Sequence, residues 1–204
     1  MPQLPRVSAV LFDMDGTLVD SDAAVDRAWI TWSSEYGLDP EVVMADATGH
    51  PSSHTVAKVL GHLDPAAQAE ATARQLSLEY DDLSDVTAAE GAHELLARLA
   101  EFGIPWAVVT SADTRLAKAR LGVAGIAPAI LVTCEDVPLG KPDPAGYLLA
   151  AELLGVKADD CLVVEDAVPG VAAGRAAGAT VAALKGVPGD LQIGSLTQLT
   201  ELFG

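Results

Sequence analysis

A chain of 204 residues, half of them apolar, is long enough to bury a sizeable core and too apolar to stay disordered. Its 29 acidic residues against 12 scattered basic ones give a formal charge of -17, which excludes the basic clusters that nucleic acid or anionic lipid partners require. Two cysteines, both in apolar runs, make neither a disulfide framework nor a zinc knuckle and read as small buried hydrophobes.

In chain order, MPQLPR lacks the apolar core of a signal peptide. No apolar stretch reaches the roughly 20 residues of a membrane helix, so a cytoplasmic protein is expected. Residues 7–12 (VSAVLF) form a short β-prone run that stops abruptly at DMDGT, the pattern of a buried parallel strand ending at a loop. From about residue 21 the periodicity turns helical, with Val25, Ala28, Trp29, Trp32 and Tyr36 on one face. Residues 55–60 and 66–80 also read as helical, and no convincing strand intervenes. Helical patterns at 92–102, 114–121, 145–154 and 168–177 then alternate with apolar runs at 106–110, 130–134, 161–164 and 179–184. Such alternation predicts an α/β fold, a Rossmann-like parallel sheet with helices on both faces. Residues 21–87 are expected to be an inserted α-helical cap with linkers near 19–22 and 85–90, leaving 1–20 and 88–204 as the core.

The polar residues at the strand ends carry the chemistry. Asp13 and Asp15 follow the first strand, and residues i and i+2 of an extended segment face the same way. Two carboxylates in one space need a cation or a shared proton. They lie at the carboxyl end of a parallel sheet, where open α/β sheets bind ligands. Thr110 and Ser111 end the second long strand and offer hydroxyls and amides to phosphate oxygens. Lys141 sits in GKPDP, a proline-stiffened loop where an ammonium can offset anionic charge. Glu165 and Asp166 end the strand CLVV and supply hard oxygen ligands of the kind Mg2+ takes. Each feature has a plainer reading: a solvated Asp-Gly turn, a Thr-Ser strand end, a surface Lys, a helix N-cap. Jointly they give the arrangement expected for phosphoryl transfer.

In this order, DMDGTLVD, VVTSA, GKPDP and VVEDAVPG resemble the four motifs of the haloacid dehalogenase (HAD) superfamily, and the helical insertion resembles its type-one cap. The resemblance covers essentially the whole chain. LVDSDAAVDRAWITWSSEYGL, GIPWAVVTSADTRLAKARL and GKPDPAGYLLAAELLGV are similar to bacterial sugar phosphatases of the hexitol phosphatase and 2-deoxyglucose-6-phosphate phosphatase type. The resemblance implies a phosphatase acting on a small phosphorylated sugar or polyol. Asp13 would be the nucleophile, forming an aspartyl-phosphate, and Asp15 the general acid and base. Mg2+ would be held by the Asp13 carboxylate, the Asp15 main-chain carbonyl and Asp166, with Glu165 close by. Thr110 and Ser111 would bind phosphoryl oxygens, Lys141 would face Asp13 and the phosphate, and Gly16 would let the backbone turn beside it. Thr48, Gly49 and His50 of TGHPSSH fall where such caps dip toward substrate. No nucleic-acid or membrane partner is expected, and the chain is taken as a monomer, with a dimer as the alternative.

Other features read more plainly. His50 and His54 could share a helix face as metal ligands, but no third ligand is evident in the sequence. Trp29 and Trp32 read as cap core, and Gly170, Gly174 and Gly178 as a helix packed closely on the sheet. The enzymatic alternatives are a phosphosugar mutase of the β-phosphoglucomutase kind and a phosphoglycolate or glycerol-phosphate phosphatase. Mutases of this fold carry a His near where Val25 stands and a Lys late in the cap, where LSLEY has none. A non-catalytic relative would be expected to lack Asp13, Asp15 or Asp166.

Overall fold

The computed structural model describes residues 7–203; the MPQLPR stretch and Gly204 lie outside the described residues. In chain order, β1 (Ala9–Phe12) and β2 (Val19–Asp20) lead into four helices, α1 (Asp22–Tyr36), α2 (Pro40–Ala47), α3 (Ser52–Val59) and α4 (Pro65–Asp81). The chain continues with β3 (Thr87–Ala88), α5 (Ala92–Glu101), β4 (Trp106–Val109), α6 (Thr114–Val123), β5 (Leu131–Val132) and α7 (Ala145–Leu154). It ends with β6 (Cys161–Glu165), α8 (Val168–Ala176), β7 (Thr180–Ala183), β8 (Leu191–Gln192) and α9 (Leu196–Leu202).

Six parallel strands form one sheet in the order β5-β4-β1-β6-β7-β8, with β1 near the middle. All four β1 residues are buried because helices cover both faces, which is why the strand reads as an unbroken apolar run. Its side chains alternate between two cores. Val10 and Phe12 join Leu95 and Leu99 of α5, Ala117 and Leu121 of α6 and Leu196 of α9. Ala9 and Leu11 join Tyr147 and Ala150 of α7 and Val171 and Ala173 of α8. Gly170 and Gly174 let α8 press onto the sheet: a Cβ on Gly170 would overlap the Glu165 carboxylate, and one on Gly174 would lie 3.0 Å from Val163 and Val181 side-chain carbons.

The four inserted helices bury a third cluster of their own, built on Trp29, Trp32, Val43, Val56, Leu60 and Ala71. Trp32 is fully buried, and its indole N–H donates to the Ala71 carbonyl at 2.9 Å. The tryptophans are thus packing residues, as their helical spacing implies, although Trp29 also borders the cleft described below.

Several elements differ from the expectation. The run at 130–134 contributes only Leu131–Val132 as strand, because Thr133 is drawn into a turn: its N–H and hydroxyl both donate to Asp136 at 2.8 Å. The insert has an additional helix, α2, started by Pro40 with Asp39 as its N-cap. Its entry and exit segments pair as the antiparallel strands β2 and β3, Val19 opposite Ala88 and Asp20 opposite Thr87. The segment after Leu184 adds a strand and a helix, β8 and α9. Cys161 is buried but Cys134 only partly so. Among the described residues no helix is long and apolar enough to cross a membrane.

Candidate active site

Parallel strands aim all their carboxyl ends at one edge of the sheet, so β1, β4 and β6 deliver their terminal residues to one place. Phe12 lies in register with Val108 on one side and Val164 on the other, which sets Asp13, Thr110, Glu165 and Asp166 close together. Oxygens of Asp13, Glu165 and Asp166 all fall within 4.8 Å of one another, and all three residues are buried.

Two ammonium groups answer this charge. Lys141, itself buried, contacts Asp13 and lies 2.7 Å from Glu165 Oε1. Lys185, just after β7, lies 3.0 Å from Asp166 Oδ2 and 2.6 Å from Asp22 Oδ2. They do not fully offset three desolvated carboxylates. Burial raises Asp13 well above the usual carboxylate range; Lys141 opposes the rise, and Glu165 and Asp166 add to it. Burial likewise pushes Asp166 up to about 6, against the pull of Lys185 and with Glu165 adding to the rise. Lys141, between Asp13 and Glu165, is held above its ordinary range despite its own burial. A pocket of hard oxygen donors with surplus negative charge fits a hard divalent cation.

Glu165 differs from the other two acids. Its Oε1 accepts from the Tyr147 hydroxyl at 2.7 Å, and its Oε2 accepts from the N–H groups of Asp166 at 3.1 Å and Ala167 at 3.3 Å. With Lys141 also on Oε1, this carboxylate fixes the turn into α8 and the position of the lysine.

Asp15 shares the cleft with Asp13, as expected, but lies outside the three-acid cluster. The chain curls directly after Asp13, with the N–H groups of Leu18 and Val19 donating to the Met14 carbonyl at 3.0 and 2.9 Å. The extended geometry ends there, and the Asp15 carboxylate is carried away from the three-acid cluster. Its Oδ1 accepts from Ser21 Oγ at 2.7 Å and Arg120 Nη1 at 2.9 Å. The residue still lines the same cleft as Asp13. Gly16 makes the curl at φ 75°, and a Cβ there would overlap Asp166 Oδ2 and lie 2.5 Å from Lys185 Nζ.

The remaining expected residues converge on this cleft, whose volume is about 590 Å3. Thr110 Oγ1 accepts from the Ala112 N–H at 3.0 Å, shaping the turn after β4. Ser111 Oγ donates to the Gly49 carbonyl at 3.0 Å, joining the sheet edge to the insert. Thr48, Gly49 and His50 line the opposite wall. His50 Nδ1 is 2.8 Å from the Asp46 carbonyl, and its ring stacks on His54 with centroids 4.3 Å apart. Asp46 adds the third donor that the sequence did not disclose. Lys58 already neutralises that carboxylate, which favours a loop strut over a metal centre.

Sequence reasoning missed Ser21, Glu79, Arg120, Tyr147 and Lys185. For Glu79, Arg120 and Tyr147 the available signal was a polar residue on a buried helix face. Gln75 and Glu79 continue the inward stripe of α4 from Ala71, and Arg120 lies with Leu116, Ala117 and Leu121 on the inward face of α6.

Comparison with known proteins agrees with this geometry. Residues 7–178 match the family of haloacid dehalogenase-like hydrolases. The chain is 42% identical over 203 residues to hexitol phosphatase A of Escherichia coli K12, covering 96% of this chain and 94% of that one. It is 32% identical over 188 residues to 2-deoxyglucose-6-phosphate phosphatase 1 of Saccharomyces cerevisiae, covering 83% and 76%. Among solved structures, a hydrolase from Pseudomonas syringae superposes with a TM-score of 0.79 at 26% identity, covering 90% and 84%.

Proposed function

The chain belongs to the haloacid dehalogenase-like hydrolases, and from that premise we propose that it is a Mg2+-dependent phosphatase of small phosphorylated sugars or polyols, working through an aspartyl-phosphate. The observation that carries this reading is the buried cluster of Asp13, Glu165 and Asp166, bordered by Lys141 and Lys185 at one edge of the sheet.

Asp13 attacks phosphorus in line, and the bond to the leaving oxygen breaks as the bond to Asp13 forms. Asp15 protonates that oxygen, then takes a proton from the water that cleaves the aspartyl-phosphate. Lys141, locked by Glu165, holds positive charge beside Asp13 and the transferring group. Thr110 binds phosphoryl oxygens through its hydroxyl and Ser111 through its backbone N–H, since the Ser111 hydroxyl donates to Gly49. Asp13, Asp166 and the Asp15 main-chain carbonyl would hold Mg2+, which when bound neutralises phosphate charge and orients the ester. Glu165 is adjacent to this set. Residues 21–87 act as a cap that excludes water during transfer and opens for release. Thr48, Gly49 and His50 contribute to substrate selection from that cap.

The sugar or polyol class is supported by the names of two relatives, hexitol phosphatase A and 2-deoxyglucose-6-phosphate phosphatase 1. Net hydrolysis rather than phosphosugar mutation is supported by Val25 and Leu76, apolar residues on the cleft wall near where a mutase carries a His and a Lys. We take the chain to act as a monomer, with a dimer as the alternative. A cytoplasmic setting suits a charged metabolite.

The test is hydrolysis of p-nitrophenyl phosphate with and without Mg2+, followed by kcat/KM over hexose, hexitol, pentose, glycerol and glycolate phosphates. Activity should require Mg2+, vanish in Asp13→Asn and favour the hexose or hexitol esters. Full activity in excess EDTA, or in Asp13→Asn, refutes the mechanism; preference for glycolate phosphate refutes the substrate class.

A further inference from the structure

Arg120 is an uncommon residue for its position. It lies on the inward face of α6 and is 2% exposed, where Leu or Ala would pack at lower cost. Its two terminal nitrogens go to different carboxylates: Nη1 donates to Asp15 Oδ1 at 2.9 Å and Nη2 to Glu79 Oε2 at 2.9 Å. Glu79 is itself buried, near the C-terminal end of α4, and its other oxygen accepts from Gln75 Nε2. The guanidinium is thus a fixed strut between the last helix of the insert and the carboxylate assigned as proton donor.

Proton transfer requires the acid within hydrogen-bond reach of the leaving oxygen, about 2.6–3.2 Å. An aspartate on a tight turn can rotate out of that range. Here Arg120 and Ser21 both hold Oδ1, which selects one rotamer and leaves Oδ2 without a hydrogen bond among the described residues. A planar fork transmits position better than a flexible ammonium does. Arg120 is poorly placed to bind the substrate anion itself, because both terminal nitrogens are engaged and Glu79 would repel the incoming charge. We propose that Arg120 is a positioning residue for Asp15, anchored by Glu79, so that the insert, when closed over the cleft, fixes the rotamer of the proton donor. The proposal rests on the phosphatase reading above.

The experiment compares two leaving groups. A sugar or polyol alkoxide needs the proton as it leaves, whereas p-nitrophenolate leaves without it. kcat/KM reports the steps up to phosphoryl transfer. It is measured for wild type, Arg120→Met/Glu79→Gln and Arg120→Lys, on p-nitrophenyl phosphate and on the sugar or polyol phosphate that wild type hydrolyses fastest. The double variant removes both charges, so neither is left buried alone; Arg120→Lys keeps the cation but not the fork. The expected result is a fall of roughly 30-fold or more for the double variant on the sugar ester and under about 3-fold on p-nitrophenyl phosphate, with Arg120→Lys intermediate. Equal falls on both esters overturn the proposal in favour of a purely structural strut. A rise in KM for the sugar ester at unchanged kcat overturns it in favour of substrate anchoring. If wild type hydrolyses neither ester with Mg2+, the phosphatase reading fails and takes this proposal with it.

Discussion

Gly16→Ala separates two costs that usually arrive together. Gly16 has φ 75° and Gly37, at the C-terminus of α1, has φ 66°, so alanine at either position meets a left-handed penalty of about 1–2 kcal/mol. For a chain of this length each kcal/mol is worth roughly 2–4 °C in Tm, so both variants should melt about 2–8 °C below wild type. The surroundings differ. A Cβ on Gly37 would meet nothing within 4 Å, whereas one on Gly16 would overlap Asp166 Oδ2 and crowd Lys185 Nζ at 2.5 Å. Restoring ordinary contact requires Asp166 or the turn to move by about 1 Å. Misplacement on that scale costs on the order of 100-fold in rate when it falls on reacting groups. Gly16→Ala should therefore lose about 100-fold in kcat and need a higher Mg2+ concentration for half-maximal activity, while Gly37→Ala keeps wild-type kinetics. Thermal melts and Mg2+ titrations of p-nitrophenyl phosphate hydrolysis on the three proteins decide it. Wild-type kinetics in Gly16→Ala at a Tm matching that of Gly37→Ala would refute the placement of Asp166 against this turn.

The two cysteines should be sluggish toward alkylation. Burial pushes both thiols up to about 11, with nearby carboxylates adding to the rise, so at pH 8 the thiolate fraction is roughly 100-fold below that of a thiol at 9.0. Iodoacetamide labelling of the native protein at that pH, timed by mass spectrometry, would contradict this if it matched the rate in denaturant. Asp190 offers a pH test of stability. Burial raises its carboxyl, but Arg175 at 2.8 Å and the Val181 N–H at 2.9 Å outweigh this and hold it below the ordinary 3.8. A depressed folded value means stabilisation that is complete at neutral pH and lost as the pH falls through it. Asp190→Asn should thus lower Tm at pH 7, with the gap closing below pH 3.8; a gap that persists in acid runs against this account.

The core of the fold was legible because a parallel sheet buried on both faces leaves unbroken apolar runs such as AVLF and CLVV. The site was legible for the same reason, since a polar residue interrupting such a run marks a strand's carboxyl end. Of the two-residue strands only β5 lies in a detectable run: β2 and β3 exist only through pairing between segments far apart in sequence, and β8 through its register with β7. The direction of a side chain was also out of reach. Alternation predicts that Asp13 and Asp15 share a space, and both line the cleft, but it cannot disclose that Asp15 pairs with Arg120, a partner 105 residues away. Buried polar positions on α4 and α6 were visible as irregularities in the helical pattern. Their meaning depends on the two helices approaching each other, which no local pattern encodes.

The small β2–β3 pairing has a consequence for how such a protein can change. The polypeptide leaves the sheet layer at Asp20 and re-enters opposite it at Thr87. Neighbouring strands sit about 4.8 Å apart, so the covalent attachment of whatever lies between those points is at essentially one spot. A longer, shorter or unrelated bundle could be spliced between the same two residues without shifting any strand of the six-stranded sheet. Substrate choice can therefore be rewritten by exchanging what hangs from a two-residue clasp, provided the replacement keeps a carboxylate for Arg120 where Glu79 now stands.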